Sequence, residues 1–157
     1  MILVQLSRAK KLSPAARTRL REAAIAALSV VPRSHCLFER LKNETWRLDI
    51  HFLKPDEIQA LNGRYRDKDK PTDVLSFPLW GGDWVTPERH KALGEIFICE
   101  PIARKQCKLF GNTLIQELER LVIHGTLHVL EFDHERSKAD EKIMTALEKK
   151  AVKKTRA

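Results

Sequence analysis

The chain has few cysteines, and none of them are closely spaced. Its 157 residues include Cys36, Cys99 and Cys107, an odd number with no Cys-x-x-Cys pair. This usage argues against a disulfide framework and suits a reducing compartment, which we take to be the cytoplasm. We expect each thiol to be a small buried group.

Long apolar runs and a leader segment are also lacking. No stretch approaches the length that crosses a membrane. The first residues, Met1 to Leu6, carry no basic segment and no small-residue cleavage site. We therefore expect neither a secretion signal nor a membrane partner.

Acidic residues are outnumbered by basic ones, which gives a formal net charge of +8. The basic residues concentrate near the two ends of the chain: Arg8, Lys10, Lys11, Arg17, Arg19 and Arg21, then Lys149, Lys150, Lys153, Lys154 and Arg156. Such a balance favours polyanionic partners, although a solvated basic surface with a basic tail is the alternative. No aromatic-rich RNA-binding motif is present, so the charge alone does not identify the polyanion.

Hydrophobic periodicity predicts one α+β domain over residues 1–157, with about four strands in one mixed sheet and about five helices. The predicted strands are 1–6, 46–53, 74–79 and 93–99, and the predicted helices are 15–30, 55–63, 101–110, 114–130 and one that begins near Ser137. Ser13 and Ser137 are the expected caps. Gly63 is expected to end the second helix.

Three histidines lie within eleven residues: His124, His128 and His134. If the apolar-periodic helix before them continues to Leu130, the first two histidines lie one turn apart on one face. A chain that then turns back brings the third imidazole to the same point. Three neutral imidazoles with an open fourth position are typical of a catalytic zinc site, here at the end of a central helix.

Two acidic residues beside the third histidine, Asp133 and Glu135, are candidates to hold an imidazole N–H, or else are solvated loop acids. The zinc peptidase motif H-E-x-x-H places its general base directly after the first histidine. Gly125 occupies that position here. The sequence therefore disfavours a peptidase.

Three sequence blocks together resemble one known family. The run from His124 to His134 has the form His-Gly-x-Leu-His-x-x-x-x-Asp-His, residues 61–78 read LNGRYRDKDKPTDVLSFP, and residues 93–98 read LGEIFI. These blocks, in this order, resemble the YbeY-type endoribonucleases, which are ribosomal RNA maturation factors. The resemblance spans roughly residues 45 to 150.

The resemblance implies a single-strand-specific, metal-dependent endoribonuclease. It would act in maturation of ribosomal RNA, at the 3′ end of the small-subunit RNA, and in ribosome quality control. The implied site holds one Zn²⁺ on the three histidines, and Arg66 matches the family's functional arginine. The expected partners are single-stranded RNA precursors and the small ribosomal subunit, and not DNA. Thr72, Asp73 and Ser76 match the family block but are not expected to be catalytic.

A second functional class stays open on the sequence alone. The chain could be a ribosome-assembly factor that binds RNA or a ribosomal protein, with a metal that only holds the fold. A fourth protein ligand from Cys99, Cys107 or Glu95 would favour that alternative, because structural zinc sites normally fill all four positions. Two residues depart from the family pattern: Glu131 stands where Gly is usual, and Glu95 where Asp is more common.

Overall fold

A computed structural model describes residues 1–82 and 84–157. Within these residues the chain forms four strands and six helices: β1 Ile2–Ser7, α1 Pro14–Val30, α2 Leu37–Arg40, β2 Trp46–Phe52, α3 Pro55–Arg66, β3 Val74–Pro78, β4 Lys91–Ile98, α4 Glu100–Leu109, α5 Leu114–Val129 and α6 Lys138–Thr155. The predicted α+β class with a mixed sheet is confirmed. Helix α2 was not predicted, because a single turn is too short to show a periodic pattern.

The strands form one sheet in the order β1-β2-β4-β3. The β1–β2 and β2–β4 pairs are parallel, whereas β3 lies antiparallel to β4 at the edge. The three parallel strands therefore finish at the same edge of the sheet, at Ser7, Phe52 and Ile98. Their following loops meet there.

Side-chain caps start the long helices as the sequence predicts. The hydroxyl of Ser13 accepts from the Ala16 amide, and that of Ser137 accepts from the Asp140 amide. These bonds satisfy amides that have no partner inside the helix.

The predicted end of α3 at Gly63 is wrong. The helix continues one more turn to Arg66, and Asp67 then takes a left-handed conformation with φ 58°. The loop that follows folds back onto this turn, because the Asn62 carbonyl accepts from the Lys68 amide and the Asn62 side chain donates to the Lys70 carbonyl at 2.8 Å. Asn62 is buried, so its side chain needs such a partner.

Helix α5 is the central helix, and it packs against α1, α4, α6, β3 and β4. The predicted burial of this helix is confirmed, since Leu118, Leu121 and Leu127 are almost fully buried. Its buried carboxylates are paired. Glu117 accepts from Arg120 on the next turn, and Glu119 accepts from Arg19 of α1 at 2.8 Å.

Two glycines allow α5 to lie unusually close to the sheet. A Cβ on Gly125 would lie 2.9 Å from Cγ2 of Ile96 and 3.0 Å from the hydroxyl of Ser76. A Cβ on Gly94 of β4 would lie 2.5 Å from a methyl of Val129 and 2.7 Å from the Phe77 carbonyl oxygen. Larger residues at either position would separate the helix from β3 and β4.

The cysteines only partly follow expectation. Cys99 and Cys107 are buried free thiols, as predicted, but Cys36 is exposed, so the prediction of burial is wrong there. Cys36 directly precedes the single-turn helix α2, which sequence periodicity did not reveal. No helix in the described part of the chain has both the length and the apolarity to cross a membrane.

The close contact of α5 gives a first prediction. We expect Gly125→Ala to lower the free energy of unfolding by about 1–3 kcal/mol, because the added methyl group overpacks the contact with Ile96. Gly81→Ala is the matched control, since a Cβ at that position meets nothing within 4 Å. Urea unfolding followed by circular dichroism measures both. Equal stabilities for the two variants would contradict the close-packing account.

Candidate metal centre

The three histidines that the sequence singles out lie together. His124 and His128 project from the last turns of α5, and His134 returns to them from the following loop. One ligand atom from each ring lies within 4.8 Å of the other two, so the group could hold a metal ion. The ring centres are 4.6 to 5.3 Å apart.

The exit of α5 determines where His134 points. Glu131 takes a left-handed conformation with φ 66°. Its amide donates to the His128 carbonyl at 2.9 Å, and the Phe132 amide donates to the Leu127 carbonyl at 3.0 Å. These two bonds form a Schellman motif, in which glycine is the usual left-handed residue. Glu131 therefore makes the same turn at a cost of about 1–2 kcal/mol.

A carboxylate holds His124, but it is neither of the two acids that the sequence suggested. Glu148 of α6 contacts Nδ1 of His124 at 2.7 Å. Burial raises the pKa of Glu148, but the hydrogen bond with His124 and nearby positive charges outweigh burial and lower it. An ionised carboxylate on Nδ1 fixes the ring and leaves Nε2 with its lone pair for a metal.

Asp133 and Glu135 have other contacts. Asp133 accepts from the Glu135 amide at 2.8 Å, and this bond is the main reason that the pKa of Asp133 is lowered. Glu135 lies 4.0 Å from Nε2 of His134, which is too long for a hydrogen bond. In the described structure, therefore, neither carboxylate accepts a hydrogen bond from an imidazole N–H, and that prediction is wrong.

The donor chemistry of the group suits a divalent cation. Burial, followed by the charges of His124 and His134, lowers the pKa of His128 to about 4. That imidazole is therefore neutral and able to donate at neutral pH. Nδ1 of His134 is buried and has no hydrogen-bond partner in the described residues. This nitrogen lies beside two other imidazoles. Its position fits that of a metal-binding atom, or of an atom in contact with a metal ligand.

The residues considered as a fourth ligand do not join this group in the described structure. Cys99 lies in a separate apolar cluster with Ile58 and Leu75. The Cys107 thiol donates to the Arg104 carbonyl within α4. Glu95 follows the strand alternation and faces away from the side on which Ile96 contacts α5. Its carboxylate lies 3.4 Å from Nε2 of His51.

The histidines line a cleft of about 310 Å³ between α5 and the edge strand β3. Arg66 enters the same cleft from the end of α3, with 41% of its side chain exposed. Its guanidinium lies 3.8 Å from Glu135, which is its one ionic partner in the part of the chain that the structure describes. The structure thus brings Arg66 and the histidines into one cavity.

Asp73 lines the cleft, and Arg120 of α5 lies behind it as its ionic partner. Oδ1 of Asp73 accepts from the Val74 amide at 2.8 Å, which is the turn role expected from the sequence. The other oxygen lies 3.8 Å from Arg120 on α5. The hydrogen bond with buried Glu117, more than any other contact, raises the pKa of Arg120. Arg120 therefore stays charged and ties α5 to the start of β3.

Comparisons with known proteins identify the family of the chain. The family model described as Endoribonuclease YbeY matches residues 11–156. The chain belongs to the endoribonuclease YbeY family. A curated member from Aquifex aeolicus is 40% identical over 104 residues, which cover 64% of this chain and 65% of the relative. A member from Persephonella marina is 39% identical over 113 residues, covering 71% and 72%.

A solved structure shows the same fold. The solution structure of TM1509 from Thermotoga maritima superposes with a TM-score of 0.55 at 28% sequence identity. The superposition covers 99% of this chain and 89% of that protein. The α+β fold predicted from the sequence therefore matches that of a solved structure.

Glu148 and Arg120 are the site residues that sequence reasoning missed. Glu148 lies one turn after Met144 on the buried stripe of α6, and a carboxylate in that stripe was the available signal. Arg120 lies one turn before His124, so helical spacing alone places it on the histidine face. Neither residue stands out without knowing which helix packs against which.

The depressed pKa of His128 makes the stability of the metal-free protein depend on pH. The folded-state value near 4 lies below the ordinary 6.5, so the unfolded chain binds more protons between these values. We expect stability to be fully present above pH 6.5 and to fall as pH drops toward 4. Unfolding curves in a chelator measure this, and His128→Gln is the control that flattens the dependence. An unchanged slope in that variant would contradict the assignment.

Proposed function

We propose that the protein is a metal-dependent hydrolytic endoribonuclease that cleaves single-stranded RNA. One Zn²⁺ would be held by His124, His128 and His134. The observation that carries this proposal is the open three-histidine group, which shares its cleft with Arg66. A zinc ion on three imidazoles supplies a polarising charge and a bound water of lowered pKa.

Arg66 is the proposed phosphate-binding residue. Charge builds on the non-bridging oxygens during phosphodiester cleavage, and a guanidinium fork fits two of those oxygens at once. Its partner Glu135 is largely exposed and 3.8 Å away, a distance typical of a weak ion pair. A substrate phosphate can therefore displace this carboxylate at little cost.

The position of Gly125 supports a nuclease over a peptidase. A peptidase of the H-E-x-x-H type needs a glutamate there, yet even a Cβ would lie 2.9 Å from Ile96 and 3.0 Å from the Ser76 hydroxyl. The close contact of α5 with the sheet leaves no room for an acid at this position.

A preference for single strands is supported by an exposed aromatic ring next to Arg66 in the chain. Tyr65 is 57% exposed, and its ring meets that of Phe77 edge-on at 5.2 Å between centres. Only an unpaired base can leave its stack and pack on such a ring. Tyr65 also directly precedes Arg66, so base and phosphate contacts would fall on one nucleotide step.

The biological setting follows from the family resemblance. We propose that residues 1–157 act as one catalytic domain in maturation of ribosomal RNA, at the 3′ end of the small-subunit RNA, and in ribosome quality control. The small subunit is the proposed partner and the cytoplasm the proposed location, with RNA and not DNA as substrate. The free thiols suit a reducing compartment.

The deciding experiment compares wild type with His128→Ala. We expect the variant to stay folded, to lose most of its bound metal and to lose RNA cleavage while still binding RNA. Metal content by mass spectrometry and cleavage of a labelled single strand measure this. Normal ribosome maturation in cells that contain only the folded, metal-free variant would favour the assembly-factor alternative instead.

Arg66 gives a separate prediction. Arg66→Lys keeps the charge but loses the two-pronged contact, so cleavage should fall by at least tenfold, or about 1.4 kcal/mol of transition-state stabilisation. Arg66→Ala should fall further. Metal content and unfolding curves should match wild type, since among the described residues the side chain has only the loose ionic contact with Glu135. Arg64→Lys, on the same helical turn, is the matched control. Full activity in Arg66→Ala would show that the family role does not apply here.

A further inference from the structure

We propose that a second cavity, remote from the histidines, binds a nucleotide unit of the same RNA strand that occupies the cleft. This inference rests on the proposed ribonuclease function. The cavity has a volume of about 410 Å³ and lies among three segments: the loop 8–12, residues 52–54 at the end of β2, and residues 100–101 at the start of α4. We call it the lysine cavity, after Lys10, Lys11 and Lys54, which line it.

The lysine cavity lies where sheet topology favours ligand binding. Its three segments lie at the carboxyl ends of β1, β2 and β4, the strands that run parallel. Ligands of sheets with parallel strands commonly bind beyond the carboxyl ends of those strands. The volume also falls within the range of about 300–1,000 Å³ that is usual for small-molecule sites.

The side chains of three lysines give the lysine cavity a positive charge. Lys10 and Lys11 are the exposed central residues of a turn closed by the Leu12 amide and the Ala9 carbonyl at 3.0 Å. Among the described residues, the ammonium groups of Lys10, Lys11 and Lys54 make no ion pair, although the Lys54 backbone amide donates to Glu57 at 2.7 Å. The nearby acids are already paired, Glu57 with Arg8 at 2.9 Å and Glu100 with Arg104. Three ammonium groups without an ion pair in the described structure attract a phosphate.

The other wall is apolar. Phe52 is buried, with 8% of its surface exposed. The exposed Pro101 lines the same cavity, together with Leu12 and Leu53. A site with cations on one side and apolar surface on the other fits a nucleotide, whose phosphate and base differ in the same way. An inorganic anion would contact the lysines and leave the apolar wall of the cavity uncovered.

Helix α3 connects the lysine cavity to the histidine cleft. Lys54 immediately precedes this helix, and Arg66 is its last residue. The two sites therefore lie at opposite ends of 12 residues, or ~18 Å of helix. A single strand whose scissile phosphate contacts Arg66 reaches the lysines a few nucleotides away. The occupant that we infer is this strand and not a free nucleotide.

Binding in a chelator tests the cavity without any cleavage. Labelled oligouridylates of about 4 to 16 nucleotides are titrated with wild type, Lys10→Gln/Lys11→Gln and Lys54→Gln, and fluorescence anisotropy is read at several salt concentrations. We expect both variants to bind the longer strands more weakly. The slope of log K against log salt should fall in magnitude by about 1.4 for the double variant and about 0.7 for Lys54→Gln.

Lys153→Gln/Lys154→Gln is the matched control, because it removes the same charge from another adjacent pair of exposed lysines. Lys154 contacts Ser29 near the end of α1, whereas Lys10 and Lys11 precede the start of that helix. The two pairs thus lie about 25 Å apart along α1. Equal losses in the control and test variants would reduce the effect to general attraction and overturn the inference. Wild-type binding by both cavity variants would overturn it as well.

Two further readouts separate the strand from other occupants and from failure of the proposed function. With cleavage measured in zinc, both cavity variants should raise KM for long strands and leave kcat unchanged, while short strands show no difference. Uridine monophosphate that binds as tightly as the long strand would identify a free-nucleotide site and overturn the inference. If the wild-type protein cleaved no RNA but the cavity variants still lost long-strand binding, the ribonuclease proposal would be refuted and the lysine-cavity proposal would stand.

Discussion

The contact between α5 and the sheet determines the geometry of the whole site. It exists because Gly125 and Gly94 carry no Cβ where the helix crosses β3 and β4. Interiors are packed densely, so one added methyl group must move either the helix or the strand. That movement would carry both helical histidines with it. The same close contact leaves no room for the acid that a peptidase needs after its first histidine.

Contacts from α6, from the loop after α5 and from the start of β3 then hold the histidine group in place. Glu148 holds His124 from α6, and the Schellman turn at Glu131 brings His134 back from the loop. Arg120 ties the same face of α5 to Asp73 at the start of β3. A metal site keeps its geometry only when such outer contacts orient the ligands. The unfavourable φ of Glu131 is one cost of that geometry, and the rest of the packing offsets it.

The sequence predicted all the helices and strands except α2, and it predicted the histidine group, because these features depend on local spacing. Helical periodicity placed His124 and His128 on one face, and the caps at Ser13 and Ser137 are local side-chain bonds. It could not predict the contact of Glu148 with His124, because 24 residues separate them and only the packing of α6 on α5 joins them. The end of α3 was wrong for a related reason. The loop that folds back over Asn62 stabilises a turn that Gly63 alone would terminate.

The histidine cleft and the lysine cavity differ in charge, and we expect them to contact a polyanion in different ways. In the histidine cleft Arg66 lies among three carboxylates, those of Asp73, Asp133 and Glu135, and each of them has an arginine partner. With neutral imidazoles this cleft therefore offers a phosphate little net positive charge. A divalent cation on the histidines would supply that charge, so phosphate binding there would be coupled to metal binding. The lysine cavity needs no such ion, because its acids are already paired with Arg8 and Arg104. In the function we propose, the lysines would therefore hold the strand whether or not the cleft contains a metal ion, and only the metal-loaded cleft would draw the scissile phosphate toward Arg66.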